Sequence, residues 1–267
     1  MSHFASTYRQ FVRQSVKSDR YWGFDVRALA RLEPFLSFLY FDWWKVNFNG
    51  LERLPASGPA LIVGNQGSVL PWQAMMLIYA LMSYQPTPRR VHILANLDWI
   101  DDERLNAFLI EIGFVPWSSA SMKRLIARGE IVATFPEGPA GLAKPYSDRY
   151  RLLDFDWTRV LPAVEEGVKI FPLATLGCDE CVPNLGNVEP LAKLTKLPFY
   201  PITPFFPWQP LPLNFASLPG NWQMHLLKEV KYEKSKDRDQ LENTSKSLAL
   251  QLQGEIQAQL NRSLRLR

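Results

Sequence analysis

The chain has 267 residues, a length that suits one large α/β domain with terminal helices. Its apolar content of 47% supplies a sizeable core, and its net charge of +4 is too small to indicate a nucleic-acid-binding protein. Two cysteines, Cys178 and Cys181, are too few for a disulfide framework and fit a reducing compartment.

The N-terminal part of the chain begins polar and charged, without a recognisable secretory signal. Helical spacing of Leu29, Leu32 and Leu36 predicts a helix after Gly23. Apolar stretches are interrupted by charge or proline well before the roughly 18 residues that a membrane-spanning helix needs. We therefore expect a cytoplasmic protein, with peripheral attachment to the inner face of a membrane as the alternative.

From residue 45 onward, predicted strands and helices alternate. Apolar runs bounded by turn residues predict strands at residues 45–49, 60–64, 89–96, 130–138, 168–177 and 222–232. Helical periodicity with capping residues or closing glycines predicts helices at residues 71–84, 101–113, 118–129, 156–167 and 237–262. This alternation is typical of βαβ units, and it predicts a single α/β domain with a mostly parallel central sheet flanked by helices.

Aromatic residues and prolines are concentrated in two segments, "FLSFLYFDWW" (35–44) and "LPFYPITPFFPWQPLPLNF" (197–215). One interpretation is that these aromatic residues fill the core and that the prolines stiffen loops. The alternative is a membrane-facing surface, where amphipathic aromatic side chains lie at the level of the lipid headgroups. The sequence leaves both interpretations open.

Two polar turns follow predicted strands. The first, "GNQGS" (64–68), comes after the apolar strand "ALIV", and the second, "FPEG" (135–138), ends another strand. Ligands of open α/β sheets bind at the carboxyl ends of the strands, so both turns are candidate site segments. Glu137 could orient a hydroxyl or a basic partner, and Lys144 with nearby arginines could hold a phosphate. The alternative is a capping glutamate with solvated basic neighbours.

Taken together, these turns resemble the motifs of the glycerolipid acyltransferase superfamily (PlsC-like), whose members acylate glycerol 3-phosphate and lysophospholipids. Four segments follow the family's order between about residues 45 and 215. "NGLERLPASGPALIVGNQGS" is similar to the first motif, and "GFVPWSSASMKRLIARGEIVATFPEG" to the second and third. "KIFPLATLGCDE" resembles the fourth, and "GLAKPYSDRYRLLDF" resembles a continuation found in one bacterial branch.

The resemblance implies three parts and a set of ligands. An N-terminal helical segment (1–44) precedes an acyltransferase-like α/β domain (45–235), and a C-terminal amphipathic helix (236–267) follows. The implied co-substrate is acyl-CoA or acyl carrier protein, and the implied acceptor is a lysophospholipid or a related lipid. The resemblance implies no metal or other cofactor, and we expect no nucleic-acid partner.

The catalytic pair of the family is replaced in this sequence. In the family, a histidine of the first motif is the general base, and a nearby aspartate orients it. The histidine position aligns with Gln66. The aspartate position aligns with Pro71 at the usual spacing, or with Gln73 at the spacing of the "L-P-x-D" branch. An amide can form hydrogen bonds but cannot act as a base, and loss of general-base catalysis typically costs about 10²- to 10⁴-fold in rate.

The binding elements of the family are retained in part. The resemblance implies substrate-binding roles for a set of polar and shape-determining residues: Asn65, Ser68, Glu137, Gly138, Lys144 and Pro172. The arginine that many members use to bind the substrate phosphate has no counterpart in the second motif, and Ala140 stands where an arginine often follows "P-E-G".

Three functions remain open on the sequence. The first is an acyltransferase that binds an acyl thioester and a lysophospholipid-type acceptor, with weak or unorthodox catalysis. The second is a catalytically inactive lipid-binding or regulatory protein on the same fold. The third is a small redox or metal protein that uses the Cys178-x-x-Cys181 motif, but one such pair without a second is a weak signal. His92 could in principle replace the missing base, although a histidine within an apolar strand is more often a core residue.

Overall fold

The apolar runs of the sequence form a seven-stranded central sheet in the computed structural model, which describes residues 23–67, 69–83, 88–98, 102–195, 197–206, 217–235 and 237–267. The strands are β1 (Asn47–Asn49), β2 (Ala60–Gly64), β3 (Val91–Ala95), β4 (Phe114–Pro116), β5 (Ile131–Thr134), β6 (Lys169–Leu176), β7 (Gly186–Asn187), β8 (Pro201–Ile202) and β9 (Gln223–Leu226). β7 and β8 form a separate antiparallel pair.

The central sheet has the strand order β1-β9-β6-β2-β5-β3-β4. All neighbouring pairs are parallel except β6 with β9, which is antiparallel. β2 lies at the centre, between β5 and β6, and its five residues are all buried. A parallel strand covered on both faces is apolar throughout, which explains the unbroken run "ALIV". The predicted α/β domain with a mostly parallel sheet is confirmed.

Helices cover both faces of this sheet. They are α1 (Val26–Phe38), α2 (Trp72–Ser83), α3 (Glu103–Glu111), α4 (Ser119–Ala127), α5 (Gly138–Leu142), α6 (Leu161–Glu165), α7 (Cys178–Cys181), α8 (Glu189–Thr195) and α9 (Arg238–Arg265). Alternate strand residues point to opposite faces, so Ile62 packs in one core with α1 and α2. Leu61 and Val63 pack in the other core with α4, α6 and α9.

Several elements differ from the sequence prediction. β4 was not predicted, because its three residues follow Gly113 directly and end at Pro116, too short a run for a pattern to emerge. The predicted strand at residues 222–232 is regular only in β9, and it continues as an isolated bridge between Val230 and Ile170. The predicted helix at 156–167 is a 3₁₀ turn (Trp157–Arg159) followed by α6, with Pro162 at the start of α6.

The aromatic segment at residues 35–44 divides between core and surface. Tyr40 and Trp44 are buried, and Trp44 stacks on Trp222 with their ring centroids 4.6 Å apart. By contrast, Phe35, Phe38 and Phe41 are about half exposed, at 50%, 46% and 59%. The second aromatic segment, residues 197–215, lies outside the described residues from position 207 onward. None of the helices in the described residues is both long and apolar enough to cross a bilayer.

Candidate active site

The first polar turn leaves the carboxyl end of β2 and is fixed by Asn65. The Asn65 side chain donates from Nδ2 to the Thr175 carbonyl oxygen at 3.0 Å, and its Oδ1 accepts from the Thr175 N–H at 2.7 Å. Asn65 is almost fully buried, so these bonds to β6 are shielded from water. Both ends of the amide therefore hold the turn in place. The adjoining Ser68, a predicted binding residue, lies outside the described residues.

The second polar turn is joined to the first by the carboxylate of Glu137. Its Oε1 accepts from the backbone N–H of Gln66 at 2.7 Å. Its Oε2 accepts from Lys144 Nζ at 3.0 Å and from the Leu153 N–H at 2.9 Å. β5 is the parallel neighbour of β2, so the two turns lie side by side at the carboxyl ends of these strands. The carboxylate thus connects three chain segments, and each oxygen already carries at least one protein donor.

Lys144 neutralises Glu137 inside the protein. The two side chains are 6% and 0% exposed, and Lys144 also donates to the carbonyl oxygen of Arg151 at 3.1 Å. An ion pair at this depth needs additional hydrogen bonds to offset desolvation, and both partners have them. In this arrangement the lysine supports the glutamate, and its predicted role in substrate binding stays a prediction.

Gln66 forms part of the wall of an apolar cavity of about 170 Å³. The cavity lies above the carboxyl ends of β2, β5 and β3, where Pro71, Phe135 and Gly138 also line it. The Gln66 side chain is nearly buried. Its backbone N–H donates to Glu137, but no residue that the structure describes forms a hydrogen bond with its side-chain carboxamide. An amide in this position offers a ligand one acceptor oxygen and two N–H donors.

Gln73 lies in the first turn of α2 and is fully buried. Neither its Oε1 nor its Nε2 has a hydrogen-bond partner in the described part of the chain. A buried amide without partners is costly, by about 1 to 3 kcal/mol on mutational data. The alternative position for the family aspartate, Pro71, lines the cavity. Pro172 is a buried residue of β6, in register with Val63, and is not part of the described cavity wall.

Arg159, which belongs to none of the sequence motifs, also lines the cavity. It is the last residue of the 3₁₀ turn at Trp157–Arg159, and its guanidinium donates to Asn96 Oδ1 at 2.7 Å. Burial lowers the pKa of this guanidinium below its ordinary value. Arg159 belongs to the predicted helix at residues 156–167, and a local pattern does not show which side chain of such a helix reaches a cavity.

His92 lies away from the cavity, in the first half of β3 and in register with Val132. Its ring is nearly buried, with Nε2 3.8 Å from Glu130 Oε2. Burial, together with the charges of Arg90 and Arg128, lowers the pKa of His92 to about 3. At neutral pH the ring is uncharged. It lies near the amino ends of the parallel strands, whereas the two polar turns follow the carboxyl ends.

The two cysteines are buried and reduced in α7. Burial raises the pKa of the Cys178 thiol well above its ordinary value and that of Cys181 to about 12. Both thiols are therefore protonated at neutral pH, which disfavours nucleophilic or redox chemistry. No cluster of three or more metal-ligating side chains occurs among the described residues.

Comparison with known proteins connects this site to one family. The family model described as Acyltransferase matches residues 45–176, a range that contains both polar turns and β6. An uncharacterized protein of Mycobacterium leprae (strain TN) is 34% identical over 219 residues, covering 80% of this chain and 59% of that protein. One from Mycobacterium tuberculosis (strain H37Rv) is 35% identical over 219 residues, covering 80% of this chain and 61% of that protein. The chain thus spans about three fifths of the length of these relatives.

The fold is also similar to that of a solved structure. A 1-acyl-sn-glycerophosphate (LPA) acyltransferase, PlsC, from Thermotoga maritima matches with a TM-score of 0.51 and 16% sequence identity. The match covers 95% of this chain and 94% of that one. Because identity is low, the match concerns the fold, whereas the family match rests on the sequence. Together they show that residues 45–176 resemble the Acyltransferase family in sequence and that the chain resembles PlsC in fold.

Proposed function

We propose that this protein binds an acyl chain and a lysophospholipid-type acceptor on its acyltransferase fold, and that acyl transfer is slow. The acyl donor would be acyl-CoA or acyl carrier protein, and the protein would act in phospholipid metabolism without a metal or other cofactor. The Thermotoga maritima protein of similar fold is an LPA acyltransferase, which supports a glycerolipid as the ligand class.

A single observation carries the proposal of slow transfer: among the described residues of the first polar turn, the side chain that lines the cavity is the carboxamide of Gln66. Attack of an acceptor hydroxyl on a thioester needs a group that takes the proton as the C–O bond forms. The amide of Gln66 cannot do so at neutral pH. Glu137 already accepts hydrogen bonds from three N–H donors, and the guanidinium of Arg159 carries donors but no acceptor. The apolar wall and the amide of Gln66 suit binding better than turnover.

A second candidate function is a catalytically inactive lipid-binding or regulatory protein, a pseudoenzyme of the family. The observation that favours it is the buried amide of Gln73, which has no partner in the described part of the chain. In the catalytic histidine–aspartate pair of the family, a carboxylate orients the base from this position. An amide without a hydrogen-bond partner does not orient a base. The two candidates share the ligand class and differ only in whether any product forms.

Binding and turnover can be measured separately on the full chain. We expect a fluorescent fatty-acid probe to bind the wild type, and expect Ala74→Phe, which fills the cavity, to weaken binding about tenfold or more. We expect product formation from radiolabelled acyl-CoA or acyl carrier protein and lysophosphatidate to be at or near background. Absence of probe binding would contradict the proposed ligand class. Turnover at rates of about 1 per second or more would contradict slow transfer.

We further propose contact with a membrane surface through α1 and the turn that follows it. Three half-exposed aromatic residues, Phe35, Phe38 and Phe41, are spaced three residues apart in sequence and so follow one side of consecutive helical turns. Phe108 and Leu105 of α3, a helix that contacts α1, are also exposed. Partly exposed aromatic side chains on the surface of a helix suit insertion at the headgroup level of a membrane.

A further inference from the structure

Among the described residues that line the apolar cavity, one side chain is strongly charged, and the family motifs do not explain its role. The side chain of Arg159 is 9% exposed, yet it lines a cavity whose wall is otherwise dominated by residues such as Leu94, Leu97 and Leu109. Burying a guanidinium against apolar surface is costly unless charged or polar groups compensate for the lost water.

The protein compensates for this burial only in part. Arg159 Nη2 donates to Asn96 Oδ1 at 2.7 Å, and the guanidinium carbon lies 4.3 Å from the ring centroid of Trp117. Asp156 Oδ2 is 3.6 Å from Nε, but this carboxylate is 46% exposed and therefore screened by water. In the described part of the chain, Nη1 forms no hydrogen bond.

The surrounding residues hold the guanidinium in a fixed orientation. The Trp117 ring packs near the guanidinium of Arg159, and Asn96 accepts a hydrogen bond from one of its nitrogen atoms. Because the guanidinium is already held in place, its remaining N–H donors lose little conformational entropy when a ligand binds. A guanidinium presents paired N–H groups that match the oxygens of a phosphate or a carboxylate. An arginine that served only to link Trp117 with Asn96 would gain nothing from a place on the cavity wall.

The position of Arg159 also fits a lipid that reaches the first polar turn. Asn96 follows the end of β3 and Gln66 follows the end of β2, with only β5 between these strands. Two strand spacings amount to about 10 Å. A ligand could therefore contact Gln66 at one side of the cavity and Arg159 at the other.

Building on the proposed lipid-binding function, we propose that Arg159 binds the anionic group of the bound lipid, a phosphate monoester or a carboxylate. Arg159 would thereby select anionic lipids over neutral ones. It would supply the charge that Lys144 cannot, because Lys144 is paired with Glu137. The phosphate-binding function would then reside in the loop before α6 and not in the second motif or after "P-E-G".

The test compares ligands that share one acyl chain and differ in the head: lysophosphatidate, the free fatty acid and the neutral monoacylglycerol. Binding to the full chain is measured by isothermal titration calorimetry. We expect at least one anionic ligand to bind about 10- to 100-fold more tightly than monoacylglycerol, the range for a charge-assisted hydrogen bond. Lysophosphatidate and fatty acid distinguish a phosphate from a carboxylate, and competition by inorganic phosphate distinguishes headgroup binding from free-phosphate binding.

Two variants test the charge of Arg159 in different ways. Arg159→Gln deletes the cation, and Asn96→Asp neutralises it by placing a carboxylate beside it with almost no change in shape. Both are expected to abolish the preference for anionic ligands while monoacylglycerol binding changes less than about threefold. Arg262→Gln, which removes an exposed arginine of α9, is the matched control and should leave the preference intact. Asn96→Asp decides the question if Arg159→Gln does not fold.

The outcomes separate this inference from the proposed function. If the wild type binds anionic and neutral ligands equally, or if Asn96→Asp keeps the preference, the role of Arg159 is wrong and lipid binding still stands. If the variants weaken all three ligands to the same degree, Arg159 is structural and the inference also fails. If the wild type binds none of the ligands, both proposals fail.

Discussion

Glu137 holds the candidate site together at the scale of single residues, because its carboxylate bonds to Gln66, Lys144 and Leu153. Glu137→Gln keeps the shape but leaves the buried Lys144 charge without a counter-ion. We expect this change to lower the free energy of unfolding by about 3 to 5 kcal/mol, as measured by urea denaturation.

The matched control is Glu242→Gln, which breaks the exposed pair of Glu242 with Lys246 in α9. An exposed pair of this kind contributes less than about 1 kcal/mol. Equal effects of the two variants would mean that the Glu137–Lys144 pair is solvated and not a structural centre of the site.

His92 supplies a second prediction at this scale, through its effect on stability in mild acid. Burial lowers the pKa of His92 from 6.5 to about 3. Between pH 6.5 and pH 3 the His92 ring is therefore protonated in the unfolded chain and unprotonated in the folded chain. Stability is therefore lost as the pH falls below 6.5, by up to about 1.4 kcal/mol per pH unit. Between pH 6.5 and 5, ordinary carboxyl groups remain mostly ionised.

The variant His92→Leu removes this titration. We expect its free energy of unfolding to depend less steeply on pH between 6.5 and 5 than that of the wild type, with both measured by urea denaturation. Parallel pH dependences would show that the ring is accessible to protons in the folded state. An acyl-transfer activity that His92→Leu abolishes in a folded protein would instead place chemistry at this residue.

At the scale of elements, the short helix α5 is fitted closely against the first polar turn. A Cβ atom on Gly141 would come within 2.6 Å of Gln66 Cβ and 2.7 Å of Glu137 Cβ. Gly141→Ala should therefore force the two turns apart and cost about 1 to 3 kcal/mol of stability, measured by thermal and urea unfolding.

Gly254 in α9 offers the opposite case, since nothing lies within 4 Å of a Cβ placed there. Gly254→Ala should stabilise the protein by about 0.5 to 1 kcal/mol, because alanine loses less backbone entropy in a helix. If Gly141→Ala proved as harmless as Gly254→Ala, the close approach of α5 to Gln66 would be wrong.

The elements that the sequence predicted are those with a strong periodic signal. β2 is buried on both faces, and its predicted bounds of 60–64 agree with the structure. The position of β9 between β1 and β6 could not be predicted from a local pattern, because it depends on pairing with strands far away in the chain. α5 was missed because "GPAGL" contains two glycines and a proline, which a local pattern assigns to a turn. Arg159 was missed because its approach to the cavity depends on the whole loop before α6.

At the scale of the whole molecule, the exposed aromatic residues lie on the side of the sheet that carries α1 and α2. We expect the wild type to sediment with anionic phospholipid vesicles. Replacing Phe35, Phe38 and Phe41 together by serine should weaken this association at least about tenfold, because each buried apolar side chain contributes roughly 1 kcal/mol or more.

Leu250→Ser is the control for this experiment, since Leu250 is 68% exposed on α9, which packs on the other face of the sheet. It should leave vesicle association unchanged. Equal loss in the triple variant and in the control would indicate nonspecific adsorption. No association of the wild type at low salt would remove the membrane-facing interpretation of residues 35–44.

The proposal of slow acyl transfer can be tested by restoring the missing base. The double variant Gln66→His/Gln73→Asp returns a titratable ring to the cavity wall and a carboxylate to the position that could orient it. In single-turnover acyl transfer from acyl-CoA or acyl carrier protein to lysophosphatidate, we expect it to exceed the wild type by about 10²-fold or more, with a rate that rises as the histidine loses its proton. A wild type that is already fast, or a folded double variant that binds lipid but gains nothing, would contradict the claim that Gln66 occupies the place of the proton acceptor.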